Sequence, residues 1–250
     1  MQNEIKQGAL YFVQGFKMLL KPGLRNFVVI PLLISFLVFA SVIGPAVYYI
    51  SEALNLLVSK LPEWLSFLYW IITTILIVLL LLVSGYFFNI VTSLIAAPFN
   101  SFLAEKTETL LTGKQSASLS GVSEMLQLIT HSIKRELDKL WYYLPRLTIL
   151  IVLTFIPGIN VLASFAWLIM GAWMLAIQYS DYPMDNNKIS FKNMLLLLKQ
   201  ERAIALGFGL ATTAMLSVPV LNMLAMPAAV IGATCMWVDL HQTKTVSPLS

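Results

Sequence analysis

The sequence predicts an all-α integral membrane protein with two long transmembrane helices, two re-entrant (hemi-penetrating) helical hairpins and amphipathic helices on the cytoplasmic side. Three observations carry that expectation. Of 250 residues, 58% are hydrophobic and only 11% charged, with a mean hydropathy of +0.81; soluble domains run roughly 45–50% apolar and about 25% charged. A water-soluble body of this size has too few charges to cover so much apolar surface, which excludes an ordinary cytosolic enzyme and a disordered tail. Next, four stretches carry no Asp, Glu, Lys or Arg: residues 26–51, 64–104, 147–180 and 203–238. Finally, if the first two stretches cross and the last two return to the starting side, 15 of the 16 basic residues share one side and Lys60 alone lies opposite. The positive-inside rule places that shared side, with both termini, in the cytoplasm. The net charge of +4 comes from scattered residues and builds no basic patch for nucleic acid.

The elements follow in chain order as one membrane domain. Met1–Gln7 lacks the basic-then-apolar order of a cleaved signal peptide, so the first apolar stretch is expected to stay in the mature protein. Residues 5–20 place Ile5, Ala9, Phe12, Val13, Phe16, Leu19 and Leu20 at helical spacing, with Lys6, Gln14 and Lys17 elsewhere. That pattern suits a helix lying in the membrane interface. In Lys21-Pro22-Gly23-Leu24-Arg25, Pro22 at a first helical position would start the first span. Unpaired N–H groups, a flexible Gly backbone and Arg25 would then converge where an oxyanion binds. The same residues also fit Lys21 and Arg25 as snorkelling anchors. Span 1 covers about 26–51 and span 2 about 66–95, each long enough for the ~20 residues that cross ~30 Å of hydrocarbon. Residues 105–146 form a cytoplasmic helical segment, amphipathic over 121–142 and ending on the aromatic belt Trp141-Tyr142-Tyr143 before Pro145.

The last two apolar stretches are each broken near the middle, hairpin 1 (147–180) at Pro157-Gly158 and hairpin 2 (203–238) at Pro219. Proline does not continue a helix ladder, and two full spans with a turn need ~40 residues or more. Both stretches are therefore too long for one span and too short for two. Between them, 181–202 is cytoplasmic, with a helix over 190–202 that Ser190 caps. The breaks align: Pro157-Gly158-Ile159-Asn160 matches Pro219-Val220-Leu221-Asn222. Asn160 or Asn222 as N-cap would open a helix inside the bilayer, whose N–H groups and dipole attract an anion without a buried ionised side chain. Pro157, Gly158, Asn160, Pro219 and Asn222 are thus candidates for an anion pathway. The alternative is that they only form the turns.

No P-loop, Gly-x-Ser-x-Gly or His-Glu-x-x-His is present, and no cofactor or metal is expected. Cys235 reads as a small buried hydrophobe, and His131 with Glu136 as a solvated helix face. Asp181-Tyr182-Pro183 and Asp185-Asn186-Asn187 read as surface turns. No acidic residue lies in the charge-free stretches to relay protons, which mildly favours a channel-like route; Asp181, Asp185 or Asp239 at the rim leaves ion coupling open. Gly207 and Gly209 are small enough for close helix contact, and a symmetric homo-oligomer is expected.

Several runs resemble the CysZ sulfate permease family of bacterial inner membranes. They are Pro22-Gly23-Leu24-Arg25, Gly85-Tyr86-Phe87-Phe88, Ala96-Ala97-Pro98-Phe99-Asn100, Tyr143-Leu144-Pro145-Arg146, Phe155-Ile156-Pro157-Gly158, Ala172 to Tyr179 with Asp181-Tyr182-Pro183, and Gly232-Ala233-Thr234 with Met236-Trp237-Val238-Asp239. The resemblance covers roughly residues 8–240. It implies sulfate uptake for cysteine synthesis, a fold of two spans with hemi-penetrating hairpins, and sulfate binding by the Gly-Leu-Arg segment, here Gly23, Leu24 and Arg25. Sulfite and selenate are further candidate anions. Two other classes stay open: a membrane scaffold that shapes the bilayer and transports nothing, and a monotopic lipid enzyme, for which no nucleophile or metal cluster is evident.

Overall fold

A computed structural model describes residues 1–58, 66–113 and 122–242, and all their regular structure is helical. The helices are α1 (Gln2–Met18), α2 (Arg25–Val58), α3 (Ser66–Thr112), α4 (Val122–Thr154), α5 (Asn160–Asn186), α6 (Phe191–Gln200), α7 (Arg202–Leu216) and α8 (Pro219–Trp237), followed by a π-helical turn, Val238–Gln242. They divide into two compact units, Asn26–Phe99 and the described residues of Met1–Arg25 with Asn100–Ser250.

The Asn26–Phe99 unit holds most of α2 and the first part of α3. Their apolar side chains point outward: Leu33, Phe36 and Leu37 on α2, and Ile75 and Leu82 on α3, are all exposed. Water would not tolerate such faces, and lipid does. Several hydroxyls turn back on their own helix, Ser41 donating to the Val38 carbonyl at 2.7 Å, Ser51 to the Tyr48 carbonyl at 2.7 Å and Thr74 to the Trp70 carbonyl at 2.8 Å, while Thr73 Oγ1 has no partner among the described residues. Such back-bonding satisfies a polar group in hydrocarbon locally. Pro31 and Pro45 sit inside α2, as apolar spanning helices tolerate.

In the other unit the core is built by α1, α5, α7 and α8. Ala225, Ala228, Ala229, Val230, Ile231 and Ala233 of α8 are all fully buried. Small residues let the helices approach backbone to backbone. A Cβ on Gly8 would collide with the Ile204 carbonyl of α7, one on Gly207 with the Ile5 carbonyl of α1, and one on Gly15 with the Ala228 carbonyl of α8. The buried stripe of α1 is Gly8, Tyr11, Phe12, Gly15 and Met18, while Leu10, Val13 and Leu20 are exposed. Its buried face therefore rests on protein. Gly209 likewise meets Ala172 of α5, so both α7 glycines serve contacts within the chain. Gly207→Leu is expected to cost about 3 kcal/mol, since overpacking against backbone cannot relax by a rotamer change. A lowered thermal midpoint in detergent and faster proteolysis of α1 would show it, with Gly44→Leu as the neutral control because nothing lies within 4 Å of its Cβ position.

Three local expectations change. Pro145 lies inside α4, which runs unbroken from Val122 to Thr154; one lost N–H does not outweigh the packing of the flanking turns. Asp181-Tyr182-Pro183 is part of α5 and Asp181 is buried, because its carboxylate has cationic partners described below. Asp185 and Asn186 close the same helix. Ser190 caps α6 as expected, accepting from the Asn193 N–H at 3.3 Å. The side chain of His131 lies outside the described residues, as does Lys60.

Candidate anion site

The chain leaves α1 through a tight turn. Lys21 donates its N–H to the Met18 carbonyl at 3.0 Å, and the Leu24 and Arg25 N–H groups both reach the Lys21 carbonyl, at 3.1 and 3.4 Å. Gly23 has φ +94°, a conformation L side chains rarely adopt. This twist delays α2 to Arg25, so Pro22 sits in the turn and does not open the helix. Leu24 is fully buried and anchors the turn, while Lys21, Gly23 and Arg25 are exposed. Leu24 can therefore serve an anion only through its backbone. Among the described residues the Gly23 N–H has no hydrogen-bond acceptor.

A third cation completes the cluster. The Lys106 Cε lies 4.0 Å from the position a Gly23 Cβ would take, which brings its side chain to the turn beside Lys21 and Arg25. The sequence carried no signal for this meeting, because Lys106 belongs to the far end of α3. The same stretch is fixed by polar contacts to the end of α5: Asn187 Nδ2 donates to both Glu108 carboxylate oxygens at 2.8 and 3.1 Å, and Asn186 Nδ2 to the Ser101 carbonyl at 2.8 Å. Burial, and then the neighbouring Glu108, raise the Glu105 carboxyl above its ordinary value. The turn also rests on α8, with Cys235 Sγ 3.8 Å from Met18 Sδ.

The hairpin breaks lie elsewhere. α4 stops at Thr154 and α5 starts at Asn160 after a turn in which Gly158 has φ +83°. α7 stops at Leu216 and α8 starts at Pro219. The N-caps are Ile159 and Val218, and neither has a side-chain cap bond. Asn160 and Asn222 are therefore not caps. Asn160 is the first residue of its helix and Asn222 the fourth, so the Pro-x-x-Asn runs sit in different registers. Pro157 stays in the turn, whereas Pro219 opens the helix as its fixed φ allows. Since Cys235, near the other end of α8, touches the α1–α2 turn, Gly23–Arg25 and Pro219–Asn222 lie at opposite ends of that helix, about 25 Å apart at 1.5 Å per residue.

A second charged cluster escaped sequence reasoning. Asp181 of α5 accepts from Arg135 Nε at 2.7 Å and from Lys139 Nζ at 2.8 Å. Arg135 Nη1 also donates to the Ile189 carbonyl at 2.6 Å and lies 3.1 Å from Asp185, and Lys139 pairs with Glu136 at 2.7 Å. Arg135, Lys139 and Asp181 are all buried. Burial alone would depress the Lys139 ammonium, but Asp181 and then Glu136 outweigh it and hold it above the ordinary lysine value. The i, i+4 spacing of Arg135 and Lys139 was legible, but their burial was not. With three carboxylates around two cations, this cluster has an excess of negative charge and does not attract an anion.

Comparisons with known proteins bear on what the turn serves. The chain matches the family model described as sulfate transporter CysZ/etoposide-induced protein 2.4 over residues 11–227. It is 43% identical over 239 residues to a sulfate transporter CysZ of Pseudomonas aeruginosa (strain LESB58), covering 96% of this chain and 97% of that protein. It is 42% identical over 234 residues to a sulfate transporter CysZ of Pseudomonas fluorescens (strain Pf0-1), covering 94% of each. Against a sulfate transporter CysZ of Salmonella paratyphi A, it is 41% identical over 244 residues, covering 96% of this chain and 94% of that protein.

Proposed function

Because the chain belongs to the sulfate transporter CysZ/etoposide-induced protein 2.4 family, we propose that it carries sulfate across the bacterial inner membrane to supply sulfate assimilation and cysteine synthesis. It does so as a transporter, with no enzymatic step. The observation that carries the site is the approach of Lys106 to the exposed glycine turn that carries Lys21 and Arg25. There the Gly23 N–H and the Arg25 guanidinium supply charge-assisted bonds to the sulfate oxygens, Leu24 holds the turn in place, and the other cations raise the local anion concentration.

The apolar turns support a re-entrant reading of 147–180 and 203–238. Phe155 is 81% exposed, and Ile156, Ile159, Val161 and Val218 are also exposed; a turn facing water would carry polar residues. With spans at about 26–51 and 66–95, both termini are cytoplasmic in a single membrane domain. The route passes the two breaks at Pro157, Gly158, Asn160, Pro219 and Asn222, where the positive ends of the α5 and α8 dipoles attract an anion without a fixed charge. Weak binding there favours release, as a channel-like or ion-coupled permease requires. Sulfite and selenate fit the same chemistry, and the working form is a homo-oligomer.

Radiolabelled sulfate uptake into proteoliposomes tests the reading. Arg25→Ala is expected to lower uptake at least about tenfold, by loss of a charge-assisted bond, with Arg25→Lys intermediate. Full uptake by Arg25→Ala would remove Arg25 from the site, and no flux in the parent protein would favour a bilayer-shaping scaffold. For the hairpins, a single cysteine at Ile159 in a Cys235→Ser background is expected to resist a membrane-impermeant maleimide from both faces. Labelling from the outer face would mean that 147–180 crosses the membrane.

A further inference from the structure

A groove of about 560 Å³ runs between α4, α5 and α7. Its deeper wall is apolar, formed by Ile149 and Leu150 of α4, Ala166 and Ile169 of α5, and Leu206 of α7. At one end stand three cations, Arg146, Lys199 and Arg202, and no lining residue is acidic. All three are exposed, and none forms an ion pair among the described residues. Their convergence follows from the topology, since Arg146 precedes the last two turns of α4 and Arg202 is the first residue of α7.

Aromatic side chains fix this end. The Arg146 guanidinium lies 3.6 Å from the centroid of the Tyr142 ring, and Trp173 Nε1 donates to the Tyr142 hydroxyl at 3.1 Å. The cation is thus held at the mouth, where amphipathic rings mark the membrane–water boundary. Along α4 the groove extends from Tyr142 to Leu150, about 12 Å at 1.5 Å per residue, against ~15 Å of hydrocarbon in one leaflet. Depth, apolar wall and cationic mouth match one amphiphile.

We propose that this groove binds an anionic phospholipid, with an acyl chain along Ile149, Ile169 and Leu206 and the headgroup phosphate held by Arg146, Lys199 and Arg202. Sulfate is a poor fit for the wall, because a dianion gains nothing from apolar side chains and loses hydration against them. A zwitterionic lipid fits the wall but leaves the three cations without a net counter-charge. The proposal needs only that the α4, α5 and α7 arms lie in lipid, and it does not depend on the sulfate reading.

The test uses the full chain in detergent micelles and phosphatidylglycerol with brominated acyl chains, which quench tryptophan on contact. Quenching that Trp173→Phe removes reports the groove. Phosphatidylglycerol is expected to quench at concentrations about tenfold or more below those of brominated phosphatidylcholine, as three cations near a surface imply. The triple variant R146Q/K199Q/R202Q is expected to erase that preference. Ile169→Phe, which fills the wall and leaves the cations, is expected to weaken both lipids. Equal quenching by the two lipids would overturn the proposal, as would persistence of the preference in the triple variant. Displacement of phosphatidylglycerol by millimolar sulfate at constant ionic strength would overturn it too, making the groove an inorganic-anion site; a second copy covering the groove would show as no Trp173 quenching by either lipid.

Discussion

Gly23→Val is expected to lower sulfate binding and uptake at least tenfold while the protein still folds. At φ +94° a β-branched residue carries on the order of 1–3 kcal/mol of strain. The chain relieves it by turning the peptide, which swings the Gly23 N–H away and breaks the Leu24 N–H bond to the Lys21 carbonyl. Side-chain bulk is not the cause, because the nearest atom to a new Cβ is Lys106 Cε at an ordinary 4.0 Å. Leu24→Met keeps volume in the fully buried anchor and is expected to retain binding. Leu24→Ala opens a cavity and is expected to cost about 2–5 kcal/mol of stability. Radiolabelled sulfate binding in detergent, read beside the thermal midpoint, separates the two effects. Unchanged affinity in Gly23→Val would take the turn's backbone out of recognition.

The second large effect is in the buried charge cluster. Asp181→Ala is expected to cost about 3–5 kcal/mol, because Arg135 and Lys139 would stay buried without their shared carboxylate. Asp181→Asn keeps the volume and one acceptor and is expected to lose less. Combining Asp181→Leu with Lys139→Met is expected to cost less than the two single changes together, since each removes the other's uncompensated charge. Unfolding by heat or denaturant in detergent measures all five variants. The raised Lys139 value also fixes a pH window. A lysine whose folded value exceeds its unfolded one stabilises fully below the unfolded value, and that stabilisation fades as pH rises through the folded value. Loss of stability is therefore expected above about pH 10.5, and Lys139→Met is expected to flatten it. An identical alkaline slope in that variant would assign the loss to other groups.

Much of this architecture was legible because membrane physics writes in long runs. A charge-free stretch has to be an apolar helix, and Pro157-Gly158 and Pro219 mark breaks that the structure places at Phe155–Ile159 and Ser217–Val218. Fine register was not legible. Both Pro-x-x-Asn runs read alike, yet Asn160 begins a helix and Asn222 lies a turn inside one, because the turn lengths differ and only backbone geometry sets them. Pro145 looked like a stop but is passed by α4, since tertiary packing overrides a weak local breaker. Burial of charge was invisible for the same reason: Asp181 next to Pro183 has turn chemistry in isolation, and its partners Arg135 and Lys139 lie more than forty residues earlier. For the anion site the Gly-Leu-Arg segment stood out, while Lys106 joins it only through the fold.

The glycine contacts of α1 set an order of events during synthesis. Gly8 docks on Ile204 and Gly15 on Ala228, so α1 finds its seat only after about 200 further residues have been made. At roughly 5–20 residues per second, that is about 10–40 s. For that interval Tyr11, Phe12 and Met18 have no protein to rest on, and the membrane surface or a chaperone must shelter them. The chain closes like a clasp, and loss of its last helix would leave the first one stranded.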